Sequence, residues 1–469
     1  MIKAIFGWLN VRLGLDEMYR VLFKHPVPGN VSGRFGWLYV FGVTALTLFI
    51  IQVVTGVLLA TTYVPSTAHA YDSLKFITDH QSLGHLLRAI HYYSASAMVL
   101  IVLIHMARVF LTASFKYPRE LNWMTGVGLF LLVMGMAFTG QLLRWDSDAI
   151  GTVLVAAEQA GRVPWIGSWL AYLVIGGQNI GGPTLTRMYA LHVFVLPGII
   201  IGIISVHLYL VLKNGISERP ISGQPVDPAT YKENYERELK RSGEAYFPGS
   251  VWKEAAFAFV VVAVVIALAL IMGPKPLSGV PDPTDVTIVP RPDWYLLPAY
   301  ALLSVIPPAI EDYVIVLGPI IVVGGLFLLP IIANRGERSL ALRPWAGASV
   351  LVVAVAAGVM LFTGYRAPWA PHYDTQVLTA QELGTSDETV IQGAQIFYEN
   401  GCQFCHGVQG RGGERGPDLT HVRSRMSAQE VVQNILSSPT GMPSFNGKLS
   451  KQDLSNILAF LEYEDTKKP

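Results

Sequence analysis

Residues 88–108 read RAIHYYSASAMVLIVLIHMAR. Two histidines, His91 and His105, stand fourteen residues apart in a run that is otherwise uncharged between Arg88 and Arg108. A bilayer needs about 20 apolar residues to be crossed by a helix, and this run supplies them. Histidine inside such a segment is costly and marks a functional position. At about 1.5 Å and 100° per residue, fourteen residues return to nearly the same helix face about 21 Å further along. A second apolar run, 189–212, carries His192 and His207, fifteen apart. Fifteen residues land about 60° off that face and about 22 Å along. Two helices so marked can clamp two stacked b-type haems, each between one histidine from either helix: His91 with His192, and His105 with His207.

Glycines share the period. Gly42 and Gly56 lie in the run 37–60, and Gly126 and Gly140 in the run 123–143, each pair again fourteen apart. Glycine lets a large flat group approach the backbone, so these four read as walls for the haem planes, with small-residue helix packing as the alternative. Arg88 and Arg108, three residues outside the histidines, stand where haem propionates would emerge; membrane-edge anchoring is the other reading. His25, His69, His80, His85 and His372 fall in loops or interfaces and read as ordinary polar residues.

The rest of the chain fits a membrane setting. Of 469 residues 52% are hydrophobic and only 14% charged, against about 25% charged in soluble proteins, so much of the surface faces lipid. The net charge of +1 argues against a nucleic-acid partner. Further apolar runs at 255–273, 314–333 and 346–363 bring the expected spans to seven. The stretch 298–310 is too short to cross and carries Pro307 and Pro308, which leaves it on the surface or re-entrant. Charges from Arg12 to Lys24 interrupt the N-terminal segment, which reads as an amphipathic surface helix rather than a signal peptide. Lysines and arginines gather in that segment, in 116–119, in 213–253 and in 335–343. With seven spans these four segments share one side, which the positive-inside rule makes cytoplasmic. Everything after Gly364 is then delivered to the opposite, outer face, and His91 and His192 pair near the outer side.

The two cysteines fall in Cys402-Gln403-Phe404-Cys405-His406, a C-x-x-C-H that reads as covalent attachment of one c-type haem with His406 as axial ligand. A zinc or redox C-x-x-C lacks the second cysteine pair or the βαβ setting it would need. Covalent haem is attached on the outer side of bacterial membranes, in line with the expected topology. A polar, proline-bearing linker at 365–388 separates this region, 389–469, from the spans.

At this point the chain resembles the cytochrome b subunit of the cytochrome bc complexes, the quinol:cytochrome c oxidoreductases. The matching stretches are Arg88-Ala89-Ile90-His91, Ser94-Ala95-Ser96, Pro118-Arg119-Glu120-Leu121, Thr186-Arg187 and Lys213-Asn214-Gly215-Ile216-Ser217. The fifteen-residue step is that of the split, chloroplast and Gram-positive type, with its separate small subunit fused in line and marked by Pro292-Asp293-Trp294-Tyr295. The resemblance implies an all-α chain: a di-haem domain of four spans at 1–220, a three-span domain at 221–364, and a small all-helical class I cytochrome c domain. It implies that Asp293, where most members have Glu, takes a proton from quinol at the outer face, with Tyr295 as a neighbouring hydrogen-bonding group. The Asp form goes in the family with low-potential quinones such as menaquinone. Two b haems, one c haem and quinol are then the redox groups; Met442 in Gly441-Met442-Pro443 follows the family pattern for the distal ligand of the c haem, with Met426 and His421 as alternatives.

Departures from the family carry expectations too. Its extra inner-side haem hangs on a cysteine at the position of Val40, near a basic residue at that of Leu212, so that haem is not expected here. Gly140-Gln141 and Arg144-Trp145 stand where the family has Gly-Tyr and Pro-Trp. Two cysteines cannot hold both a Rieske cluster and haem c, which implies a separate Rieske iron-sulfur partner. A homodimeric complex in a bacterial inner membrane, with a soluble or membrane-bound cytochrome or other acceptor, completes the expectation. The rivals are a transmembrane haem conduit without bifurcation, and a haem-based sensor, against which closed bis-histidine coordination counts.

Overall fold

A computed structural model describes residues 2–177, 179–280, 291–367, 375–413, 416–437 and 445–466. Met442 and His372 lie outside the described residues. The chain divides into a larger unit, reaching to residue 280 and over 291–359, and a C-terminal unit from residue 360.

The larger unit is built on helices, as expected. Seven are long and apolar enough to span a membrane: Phe41–Ala60, Gly84–Leu111, Glu120–Leu142, Gly182–Asn214, Val251–Met272, Ile310–Ile332 and Pro344–Arg366. The first packs on the second and the third on the fourth, while the fifth lies against the first two. The sixth and seventh bury only 6% of their most apolar windows. Leu351, Val352 and Val353 are more than 60% exposed; lipid, unlike water, tolerates such a surface. Between the first two spans, Gln52 donates to His91 O and to Ser94 Oγ, both at 2.6 Å, satisfying buried polar groups where no water reaches.

The fourth span is not a regular α-helix. Residues Leu191–Val195 form a π turn in which the Leu196 N–H donates to Leu191 O, five residues back. Pro197 follows at once and has no N–H to continue the i→i−4 ladder. One extra residue is thereby taken up at His192, as π turns do at functional positions. The fifteen-residue step to His207 therefore behaves as fourteen, and both histidines return to one face.

The basic segments expected on one side do meet. Lys116 Nζ donates to Ala333 O at 2.8 Å, Arg119 Nη2 to Asn214 O at 3.1 Å, and Lys24 Nζ to Phe247 O at 3.2 Å. Arg338 pairs with Glu218. Burial pushes the Glu218 carboxyl up, but Arg338 and Arg119 outweigh it and hold the group below its ordinary value. At the opposite helix ends, Ser147–Gly161 and Gly167–Ile175 pack together as a helical hairpin. The proline-containing stretch at 298–310 becomes a nine-residue helix, Leu297–Val305, after which Pro308 opens the next helix.

In the C-terminal unit Glu388–Glu399 packs on Lys451–Thr466. Phe397 and Phe460 meet with ring centroids 5.6 Å apart, over a core that includes Ile457 and Leu461. Leu378 and Leu383, from the sequence expected to be linker, are buried in that core. The helices touch at Gly393, where a Cβ would fall 2.1 Å from Asn456 O. Gly393→Val should therefore destabilise this unit by about 1–3 kcal/mol, the usual cost of overpacking. Hydrogen exchange of the 388–399 helix in the full chain should rise; unchanged protection would contradict the packing.

Candidate functional site

Two cavities lie between the first four spans, at opposite helix ends. One, of about 230 Å³, is lined by Gly56, Arg88, His91, Gly140, Arg144 and His192, with Asp293 and Tyr295 in the same wall. The other, of about 400 Å³, is lined by Gly42, His105, Arg108, Gly126 and His207. The structure thus brings His91 to His192 and His105 to His207. The His91 and His192 ring centroids are 6.3 Å apart. Two metal–imidazole bonds of about 2 Å each, with the two ring radii, fill that gap.

The four glycines face the histidine rings. A Cβ on Gly56 would lie 3.3 Å from His91 Cε1, on Gly42 3.4 Å from His105 Cε1, on Gly126 3.6 Å from His207 Cε1, and on Gly140 2.5 Å from His192 Cε1. At Gly140 no side chain fits without moving the ring. These glycines make room for the imidazoles, and through them for whatever lies between.

Threonines beside three of these glycines orient the rings. Thr55 Oγ1 donates to Ile51 O at 2.7 Å and lies 2.9 Å from His91 Nδ1. Thr125 Oγ1 donates to Leu121 O at 2.8 Å and lies 2.8 Å from His207 Nδ1. Thr139 Oγ1 donates to Gly135 O at 2.8 Å and lies 3.1 Å from His192 Nδ1. Each hydroxyl spends its proton on its own helix and so accepts from Nδ1–H. The lone pair is left on Nε2, which presents it to a metal. Sequence reasoning missed these threonines; the signal was a Thr-Gly dipeptide repeated at 55–56, 125–126 and 139–140.

Buried arginine atoms without hydrogen-bond partners mark where anions fit. In the membrane unit, among the described residues, these are Arg108 Nε and Nη2 in the larger cavity and Arg144 Nε, Nη1 and Nη2 in the smaller; Arg423 Nε is a further one in the C-terminal unit. The Arg108 guanidinium lies 3.6 Å from the Tyr39 ring centroid. Arg88 is instead tied to Thr78 Oγ1 at 2.9 Å and to Lys275 O at 2.7 Å. Facing imidazoles with free Nε2 lone pairs, flanking glycines and guanidinium nitrogens without hydrogen-bond partners are the donor set of a bis-histidine haem with its propionates.

The smaller cavity adds acid–base groups. Asp293 is 5% exposed, and its Oδ1 accepts from Lys275 Nζ at 2.7 Å while its Oδ2 accepts from Tyr295 OH at 3.0 Å. Its N–H donates to Gln141 Oε1 at 3.0 Å. Arg144 lies 3.9 Å from Asp293 and 3.6 Å from Asp146, within ion-pair range without hydrogen-bond geometry. Burial, and then the Asp293 carboxylate, push Tyr295 well above its ordinary value, so it stays a donor. Lys275 and Arg144 went unforeseen as Asp293 partners because their contacts bridge distant segments.

In the C-terminal unit, the Pro417 carbonyl accepts from His406 Nδ1 at 2.8 Å, again freeing Nε2. A Cβ on Gly416 would fall 2.4 Å from the same ring. Burial pushes the Cys402 thiol up to about 12, unlike the low-pKa thiolates of redox C-x-x-C motifs. Of the alternatives to Met442, Met426 accepts from Asn434 Nδ2 at 3.6 Å, and His421 lies 3.9 Å from Asp465.

Comparison with known proteins follows the same division. Residues 24–215 match the family described as cytochrome b/b6/petB, 281–380 that of cytochrome b(C-terminal)/b6/petD, and 389–461 that of cytochrome C oxidase, cbb3-type, subunit III. The menaquinol:cytochrome c reductase cytochrome b subunit of Bacillus subtilis is 35% identical over 221 residues, 46% of this chain and 99% of the relative. Cytochrome b6 of Heliobacterium mobile is 37% identical over 213 residues, 45% of this chain and 99% of the relative. A solved structure titled hyperthermophilic respiratory Complex III superposes with a TM-score of 0.65 at 25% identity, covering 76% of this chain and 91% of that one.

Thr139→Val keeps the shape of the site but removes the acceptor for His192 Nδ1–H. Loss of such an outer hydrogen bond costs about 10–100-fold in affinity at metal sites. Haem titration of the variant should show weakened binding in the smaller cavity alone; two undiminished b-type binding steps would contradict the tautomer assignment.

Proposed function

This chain belongs to the cytochrome b family of the cytochrome bc complexes, and on that premise we propose how its residues divide the work of quinol oxidation. It is a multi-pass membrane protein, the cytochrome b of a multi-subunit quinol:cytochrome c reductase, and carries its own cytochrome c domain. In our reading His91 with His192 and His105 with His207 hold two b haems, with propionates at Arg108 and at Arg88 and Arg144. Cys402, Cys405 and His406 hold one c haem, with Met442 as its distal ligand. The working division is 1–220 for the di-haem domain, 221–364 for the quinol-site domain and 389–469 for the cytochrome c domain, with the segment 365–388, expected as a linker, adding Leu378 and Leu383 to the core of the last. Haem iron supplies reversible one-electron transfer.

The observation that carries the reading is that Asp293 and the His91–His192 pair line one cavity. A quinol there finds a proton acceptor and an electron acceptor side by side. Lys275 and Tyr295 each occupy one lone pair of the carboxylate, and an ionised carboxylate has about four. Asp293 can therefore accept a hydrogen bond from the quinol hydroxyl, then its proton, while Lys275 and Arg144 hold the group in place. With haems held by His91–His192 and His105–His207, one electron would cross from the outer to the inner pair and on to an inner-side quinone; the other would leave through a separate Rieske protein to the c haem held at Cys402, Cys405 and His406.

Outer-face release and inner-face uptake of protons couple this to proton translocation. The Asp form of the motif and the name of the Bacillus relative favour menaquinol as substrate. The meeting of the basic segments supports a cytoplasmic N-terminus and an outer cytochrome c domain, in the inner membrane of a bacterium. A dimeric complex and an external cytochrome acceptor complete the proposal.

Asp293→Asn keeps the volume and removes the base. Quinol-dependent reduction of the c haem should fall about 10²–10⁴-fold, the span of general-base catalysis, with both b haems still bound. An unaffected rate would favour a simple haem conduit.

A further inference from the structure

The two cavities of the membrane unit share a wall. Phe49, Met98 and Val133 line both of them, and among the described residues no others do. Each of the three stands midway between the marked positions of its helix. Phe49 is seven residues from Gly42 and seven from Gly56, Met98 seven from His91 and from His105, and Val133 seven from Gly126 and from Gly140. Seven residues are about 10.5 Å along a helix and about 20° from the starting face. Each side chain therefore lies on the face that carries the ligands or the glycines, halfway between the two levels. The fourth helix supplies Ile200, seven residues before His207 and eight after His192, the extra residue being the one taken up in the π turn.

This middle layer is apolar throughout. Phe49, Met98, Val133 and Ile200 are buried in one core cluster together with Leu48 and Val265. Gln52, three residues on from Phe49, donates to His91 O and Ser94 Oγ and is thereby satisfied within the first two helices. Charged groups stand at the far ends instead: Arg144, Lys275 and Asp293 line the smaller cavity alone, and Arg108 and Arg119 the larger alone. Helix packing by itself asks for buried apolar side chains here. It does not ask that the same three residues close both cavities, at the midpoint of three separate fourteen-residue repeats.

We propose that Phe49, Met98 and Val133, with Ile200, form a single wall touched by both b haems, and that this wall sets their two reduction potentials together while the unequal cavity ends set the difference. This rests on the two-haem reading given above. A ferric haem carries one more positive charge than a ferrous one, and an apolar medium disfavours the more charged form. Burial and the polarity of the surrounding shell are accordingly among the protein's means of tuning a haem. An electron passing between the haems oxidises one iron and reduces the other, with no bond made and no proton moved. Its driving force is the difference of the two potentials. A polar group placed in the shared wall lowers both potentials and leaves that difference nearly unchanged; the same group one turn to either side lowers one potential and alters it.

The test is an equilibrium redox titration of b-haem absorbance in the purified full complex, which needs no turnover. A b-haem content below two per chain in the unaltered complex would bring down the two-haem reading itself. Where two are present, Val133→Thr, which keeps the side-chain shape, should lower both potentials. The hydroxyl it introduces can donate to the carbonyl four residues back, as Thr125 and Thr139 of the same helix do, which leaves its lone pairs to favour the ferric state. Ala95→Ser, on the smaller cavity alone, should lower one potential, and Val102→Thr, on the larger alone, the other. Met98→Gln, which should again lower both, carries the test should Val133→Thr fail to retain both haems. A shift of one potential or of neither in a shared-wall variant that holds both haems would overturn the proposal, as would equal shifts of both from Ala95→Ser or Val102→Thr.

Discussion

A flat cofactor gripped from both faces requires two imidazoles on different helices, opposed across a fixed gap with their lone pairs turned inward. In the proposed reading that requirement is met twice, at two depths of one helical bundle, and most of the membrane unit follows from it. The gap at His91 and His192 has the width of a metal with two imidazoles. The rings need space behind them, which the four glycines leave; at Gly140 a Cβ would clash with the His192 ring, and at the other three it would come to 3.3–3.6 Å. They need a fixed tautomer, which Thr55, Thr125 and Thr139 set by spending their own protons on the helix backbone. The fourth helix must also bring two histidines fifteen residues apart onto one face, which the π turn at Leu191–Val195 achieves.

The two cavities are chemically unequal, and that inequality gives the bundle a direction. The smaller holds Asp293 within a cluster of Lys275, Arg144 and Tyr295, with Asp146 beyond. Those groups fix the carboxylate in the cavity wall. Gln141 and Arg144, two departures from the family pattern, are part of that arrangement: one anchors the Asp293 backbone and the other its charge. The larger cavity is instead lined by Glu254, whose carboxylate accepts from the Tyr246 hydroxyl.

Much of this was legible in the chain itself. Spanning helices announce themselves by uninterrupted apolar length, and a ligand pair announces itself by a polar residue repeated at a helical period. The C-x-x-C-H motif is local and needs no fold to be recognised. The π turn was not legible, because Leu191–Val195 is as apolar as any regular span and Pro197 alone does not specify how the strain is relieved. Lys275 reaches Asp293 across 18 residues, and Gln141 reaches it across 152; contacts of that range have no signature in one sequence. Leu378 and Leu383 were assigned to linker because proline and polar neighbours surround them, although their side chains complete the core of the C-terminal unit.

The central claim is that each cavity of the membrane unit holds one bis-histidine haem and that the C-terminal unit holds one covalent haem. A pyridine haemochrome assay on the purified complex, after extraction of the non-covalent haem in acidified acetone, separates the two classes, and the share belonging to this chain is obtained by resolving the subunits. The account predicts two extractable b haems for each covalently retained c haem. A single b haem per chain, or a fourth haem, covalent or not, would contradict it.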